Sequence, residues 1–96
     1  MTKKQKIIER IKNLLSEKGA TETNKLEHDI YLLRSRYTED HDAWYGKIDS
    51  LWLSADGTPK CHIWYWGTGE DEDVSTLTYK NLEFVEEYLV KGYVIQ

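Results

Sequence analysis

The sequence predicts a two-layer α+β domain: a helix, a three- or four-stranded antiparallel meander and a second helix, with both helices on one face of the sheet. Three observations carry this. Apolar residues recur at helical spacing at both ends of the chain, and the middle alternates apolar and polar residues over stretches of strand length. Six of the twelve aromatic residues, all four tryptophans among them, lie between Trp44 and Trp66, on either side of one Asp56-Gly57 turn. Ninety-six residues, 40 % of them hydrophobic, suit a single domain over 1–96. A chain of this size buries roughly two-thirds of the surface that its unfolded form exposes.

Ile7, Ile8, Ile11, Leu14 and Leu15 form one helical face, so the first helix is expected from about Lys3 to Lys18, with Gly19 as its left-handed stop. A polar connection from Ala20 to Lys25 follows. Leu26 to Tyr37, with Ile30, Tyr31, Leu32 and Leu33 at its centre, is expected as the first strand, and Thr38 to Asp42 as a solvated loop. The next strand runs from about Trp44 or Tyr45 to Leu53, and the third from Lys60 to Trp66. Gly67 to Asp73 is read as a flexible acidic loop, and Val74 to Thr78 as a short fourth strand or an extended lead-in. Asn81 is the expected cap of a last helix that buries Leu82, Val85, Tyr88 and Leu89 and ends at Lys91-Gly92. The tail Tyr93-Val94-Ile95 is apolar enough to pack, or to pair with a strand edge.

The hairpin has two unlike faces. If Asp56-Gly57 forms a two-residue turn, Leu53 lies across from Lys60, Trp52 from Cys61, Ser50 from Ile63 and Ile48 from Tyr65. Ile48, Ser50, Trp52, Cys61, Ile63 and Tyr65 then share an uncharged face, the expected core. Lys47, Asp49, Leu51, Leu53, Lys60, His62, Trp64 and Trp66 share the other. Large apolar groups rimmed by charge mark interfaces, and tryptophan is enriched in binding hot spots. The candidate partner-binding residues are therefore Leu51, Leu53, His62, Trp64 and Trp66; the competing expectation is cross-strand packing under long side chains such as Lys47. A slip of one residue would exchange the faces of one strand relative to the other.

Charge is asymmetric within a net of −4: residues 1–37 carry nine Lys/Arg against five Asp/Glu, and residues 38–96 carry four against twelve. Helices lying side by side would make much of this internal complementarity. Cys61 and His62 are adjacent on a strand and point to opposite faces, so they cannot form a nucleophile and base pair. Neither Glu39-Asp40-His41-Asp42 nor Glu70-Asp71-Glu72-Asp73 has the alternating oxygens of a calcium loop. One cysteine and three scattered histidines give no zinc spacing. Gly67-Thr68-Gly69 runs into four acids that would repel a phosphate. No catalytic residue, cofactor or metal is therefore expected.

The element order is also that of double-stranded-RNA-binding domains, but those place a basic cluster at the start of the second helix, where this chain has Glu83, Glu86 and Glu87. With a single cysteine, and with Glu9, Arg10 and Lys12 interrupting the first apolar stretch, the expected setting is cytoplasmic, without a membrane span.

Ile8-Glu9-Arg10-Ile11-Lys12 with Leu14-Leu15, then Glu17-Lys18-Gly19-Ala20, and the late Leu82 with Glu86-Glu87-Tyr88-Leu89 resemble a group of short α+β proteins of gut bacteria, many encoded near mobile elements and without an established activity. That resemblance implies a small accessory or regulatory protein and transfers no site residues. The leading expectation is a non-enzymatic interaction module, self-associating or binding a protein through an aromatic sheet face. The alternatives are nucleic-acid contact through Lys3, Lys4, Lys6, Arg10 and Lys12, and an acidic mimic that occupies a basic site through Glu70 to Asp73 and the last helix.

Overall fold

The computed structural model describes residues 1–32, 35–36, 42–43, 46–65 and 67–93, without the side chains of 35, 36, 42, 43 and 65. Helix α1 spans Lys3–Glu17 and starts at a capping box: the Thr2 hydroxyl accepts from Gln5 N–H at 3.1 Å, and the Gln5 side chain accepts from Thr2 N–H at 2.8 Å. Ile7, Ile11 and Leu15 are its buried stripe. Past its end Gly19 is left-handed (φ 69°), Gly19 N–H donates to Ser16 O and Ala20 N–H to Leu15 O, so the stop expected at Gly19 is present.

Strand β1 (Leu26–Tyr31) is followed by two short strands, β2 (Ser35–Arg36) and β3 (Asp42–Ala43), which pair with each other as a separate two-stranded sheet. Then come β4 (Lys47–Leu53), β5 (Pro59–Tyr65), β6 (Thr68–Asp73), a 3-10 turn (Val74–Thr76) and helix α2 (Tyr79–Lys91). The main sheet is antiparallel in the order β1-β4-β5-β6. Both helices pack on one side of it, and a single apolar cluster joins Ile7, Ile11 and Leu15 of α1, Leu82, Val85 and Leu89 of α2, and Ile30, Ile48, Leu51, Cys61 and Ile63 of the sheet. The helices also meet through charge, with Arg10 Nε 2.5 Å from Glu86 Oε2.

Several elements depart from the sequence reading. The acidic stretch expected as a loop over 67–73 is strand β6, and the segment 74–78, expected as a short fourth strand or an extended lead-in, is a 3-10 turn over Val74–Thr76 followed by extended Leu77 and Thr78 that lead into α2, with Val74 and Leu77 buried. The first strand stops at Tyr31 instead of Tyr37. The cap of α2 is Thr78, whose hydroxyl accepts from Asn81 N–H at 3.4 Å; Asn81 sits buried in the first turn instead of capping it. Tyr93 is exposed, against the expectation that it packs, while Val94, Ile95, Trp44, Tyr45, Trp66 and the loop residues 38–41 lie outside the described residues.

The hairpin turn decides the register. Ser54 N–H donates to Thr58 O at 3.0 Å, and Gly57 N–H donates to Ser54 O at 2.9 Å, so the loop holds three residues, Ala55, Asp56 and Gly57, with Gly57 left-handed at φ 85°. The Asp56 carboxylate accepts from Ser54 Oγ and, at 3.0 Å, from Thr58 N–H. These bonds to its charged form hold its pKa down at about 2. The register accordingly moves by one residue from the two-residue expectation: Leu53 faces Pro59, Trp52 faces Lys60, Leu51 faces Cys61 and Ser50 faces His62. A β-bulge at Asp49 then realigns the pair, so that Ile48 faces Ile63. Core-facing residues in β4 are thus spaced Leu53, Leu51, Ile48, by two and then by three.

Candidate functional site

The corrected register redistributes the hairpin. Leu51 is fully buried, and Leu53 is half-buried against the same cluster, so both belong to the helix-covered face and leave the expected patch. Trp52 moves the opposite way: it is buried on the face away from the helices, with Lys25 Nζ 4.0 Å above its ring. In β5 the expected faces hold, with Cys61 and Ile63 in the core and His62 and Trp64 opposite. Burial in an apolar setting pushes the Cys61 thiol well above its usual range, and Sγ lies 3.6 Å from Glu72 O, so this cysteine is not poised as a nucleophile.

Strand pairing then assembles a face that the sequence reading saw only in part. Across β1 and β4, Asp29 pairs with Lys47 at 3.6 Å. Between β4 and β5, Trp64 Nε1–H donates to Asp49, which the bulge makes available beside Ser50 opposite His62. Between β5 and β6, His62 Nδ1 lies 2.8 Å from Asp71 Oδ1, and Lys60 Nζ lies 2.5 Å from Asp73 Oδ1. The His62 and Trp64 rings meet edge to face at 5.2 Å. They occupy the room above Gly69: a Cβ built there would stand 2.5 Å from His62 Nε2 and 3.2 Å from a Trp64 ring carbon. Gly69 is therefore what lets the two rings lie across the β5–β6 pair.

Of the predicted residues, His62 and Trp64 are brought together, Leu51 and Leu53 are not, and Trp66 lies outside the described residues. Lys47, Asp49 and Lys60 lie on this face as the alternation predicts; the contributors missed are Gly69, Asp71 and Asp73. Alternation in the run Gly69, Asp71, Asp73 is the signal that was present, but without the β5–β6 pairing it carries no face. Trp64 keeps 39 % of its surface exposed, and Tyr31, opposite Lys47 on β1, is likewise exposed. His28 and Asp29 do point apart, His28 stacking on Tyr88 of α2 at 4.5 Å while Asp29 serves the other face. Among the α1 cations expected to touch a phosphate backbone, Arg10 is engaged by Glu86.

Among the described residues, no helix is long and apolar enough to cross a membrane. No protein-family model, curated protein or solved structure matches the chain.

Proposed function

We propose that this chain is a non-enzymatic interaction module that binds a protein, either a second copy of itself or a different chain, through the sheet face opposite its helices. One observation carries the proposal: Trp64 lies partly exposed on that face, held by Asp49 and His62 and not covered by either helix. Fixing an aromatic ring before a partner arrives lowers the ordering cost of binding, and tryptophan contributes more than other residue types at interface centres.

The test combines oligomeric state with tryptophan access. Sedimentation across a concentration series reports self-association, and acrylamide quenching of the wild type against Trp64→Phe isolates the contribution of this ring. The expected result is that Trp64 is quenchable in the free monomer and shielded on association. A chain that remains monomeric with all its tryptophans shielded overturns the proposal.

A further inference from the structure

We propose that Asp56-Gly57 is a site of spontaneous covalent modification, the conversion of Asp56 to isoaspartate, and that the closed turn holds this reaction off until it opens. The inference goes beyond the docking role proposed above and does not depend on it.

The chemistry belongs to the residue pair. Aspartate followed by glycine is the aspartyl pair most prone to cyclise, because glycine puts no side chain in the path of its own amide nitrogen, and this chain has one such pair. The Gly57 nitrogen attacks Asp56 Cγ: an N–Cγ bond forms, a Cγ–O bond breaks, and the amide proton leaves with the carboxyl hydroxyl as water, giving a succinimide ring. Water then opens the ring. Cleavage of the new N–Cγ bond restores aspartate. Cleavage between the nitrogen and the main-chain carbonyl carbon of Asp56 instead routes the backbone through Cβ and Cγ, with the α-carboxylate left as the side group. Water is the sole co-reactant, and Asp56 is exposed to it at the tip of the hairpin.

The turn opposes both requirements of the first step. Attack needs a free nitrogen, whereas Gly57 N–H donates to Ser54 O at 2.9 Å. Loss of water needs a protonated carboxyl, whereas the Asp56 carboxylate is held in its charged form, accepting from Ser54 Oγ and, at 3.0 Å, from Thr58 N–H. Lys12 of α1 closes over the same turn, its Nζ 3.7 Å from where a Gly57 Cβ would stand. Ser54 therefore guards both partners, the nitrogen through its carbonyl and the carboxylate through its hydroxyl.

The product does not fit the turn that delays it. Isoaspartate adds a backbone carbon to a loop that closes between Ser54 N–H and Thr58 O, and this loop sets Leu53 opposite Pro59 and Leu51 opposite Cys61. Modification thus loosens the hairpin, and a loosened hairpin exposes the pair to further reaction.

The test follows isoaspartate at position 56 by peptide mapping and by methylation with an isoaspartyl methyltransferase, in warm neutral buffer with and without guanidinium chloride. Formation is expected to be at least about tenfold faster in denaturant. Ser54→Ala, with its folding checked by circular dichroism, should raise the rate in native buffer about tenfold, and Ser54→Thr, which keeps the hydroxyl, should return it toward wild type. Val85→Ala lowers stability from within α2 without touching the turn, and should leave the native rate near that of the wild type. Absence of isoaspartate at position 56 in denaturant removes the site. Equal rates with and without denaturant, indifference to Ser54→Ala, or an equal acceleration by Val85→Ala removes the guarding role of the turn; the denaturant comparison needs no variant.

Discussion

On the helix-covered side of the sheet, Ile30, Ile48, Leu51, Cys61 and Ile63 are held by shape and exclusion of water, whereas on the opposite side Trp64, His62, Lys60 and Lys47 are each held by one named acid on a neighbouring strand. The two sides respond differently to irregularity. Apolar contacts are non-directional, so the covered side absorbs the bulge at Asp49 and merely receives Ile48 at a different spacing. The open side consists of specific pairs, and a shift of one residue between β5 and β6 would separate Lys60 from Asp73 and His62 from Asp71. Stability is concentrated on the first side, and on the second the pairing sets what the face presents.

The largest expected effect contrasts the sides directly. Leu51→Ala should cost about 2–5 kcal/mol, as expected for a fully buried leucine, whereas Trp64→Ala, at a ring that keeps 39 % of its surface exposed, should cost less, about 1–2 kcal/mol. Urea unfolding of both variants decides it, and a reversed order would restore the two-residue register with Leu51 on the open side. Next comes Gly57→Ala, which places a side chain at φ 85° and should lose about 1–2 kcal/mol. Gly57→Asn should lose less, because asparagine tolerates left-handed backbone. Equal losses for the two would show that the turn does not depend on a left-handed residue at this position.

The smallest effect is electrostatic and belongs to the turn that sets both sides. The Asp56 pKa is about 2 in the folded chain, below its ordinary value of 3.8, so its contribution is present above pH 4 and is lost as the pH falls toward 2. Asp56→Asn should therefore flatten the decline in melting temperature over that window while leaving the neutral-pH fold intact. Parallel curves for the wild type and the variant would mean that the carboxylate is not held by Ser54 and Thr58. The group is exposed, so the difference should be modest.

Much of the fold was legible in the residues. The stripes Ile7, Ile11, Leu15 and Leu82, Val85, Leu89 mark both helices, Gly19 marks the end of the first, and alternation in β5 correctly assigns Cys61 and Ile63 inward and His62 and Trp64 outward. The cap of α2 was within reach of the sequence, since Thr78 lies three residues before Asn81 and either residue type can cap. Strand β6 was not. Thr68 to Asp73 has no apolar period, and its extended form comes from backbone pairing with β5 and from the acids that meet Lys60 and His62. Charged residues on an edge strand also discourage further sheet growth, so a segment that resembles a loop in composition is suited to that position.

The faces of β4 show where local reasoning ends. Asp56-Gly57 identifies a turn, but a two-residue and a three-residue loop both accommodate it, and they differ by the one residue that exchanges Leu51 with Trp52. By itself, the sequence determined the helices, the β5 alternation and the aromatic concentration around one turn, because these depend on periodicity and on residue-level backbone preference. The tertiary structure decided the loop length, the bulge at Asp49, the strand made of acids and the set of groups that share the open face. Those depend on which backbone groups pair across strands, a non-local choice settled by burying Leu51 and Ile48 together under the helices.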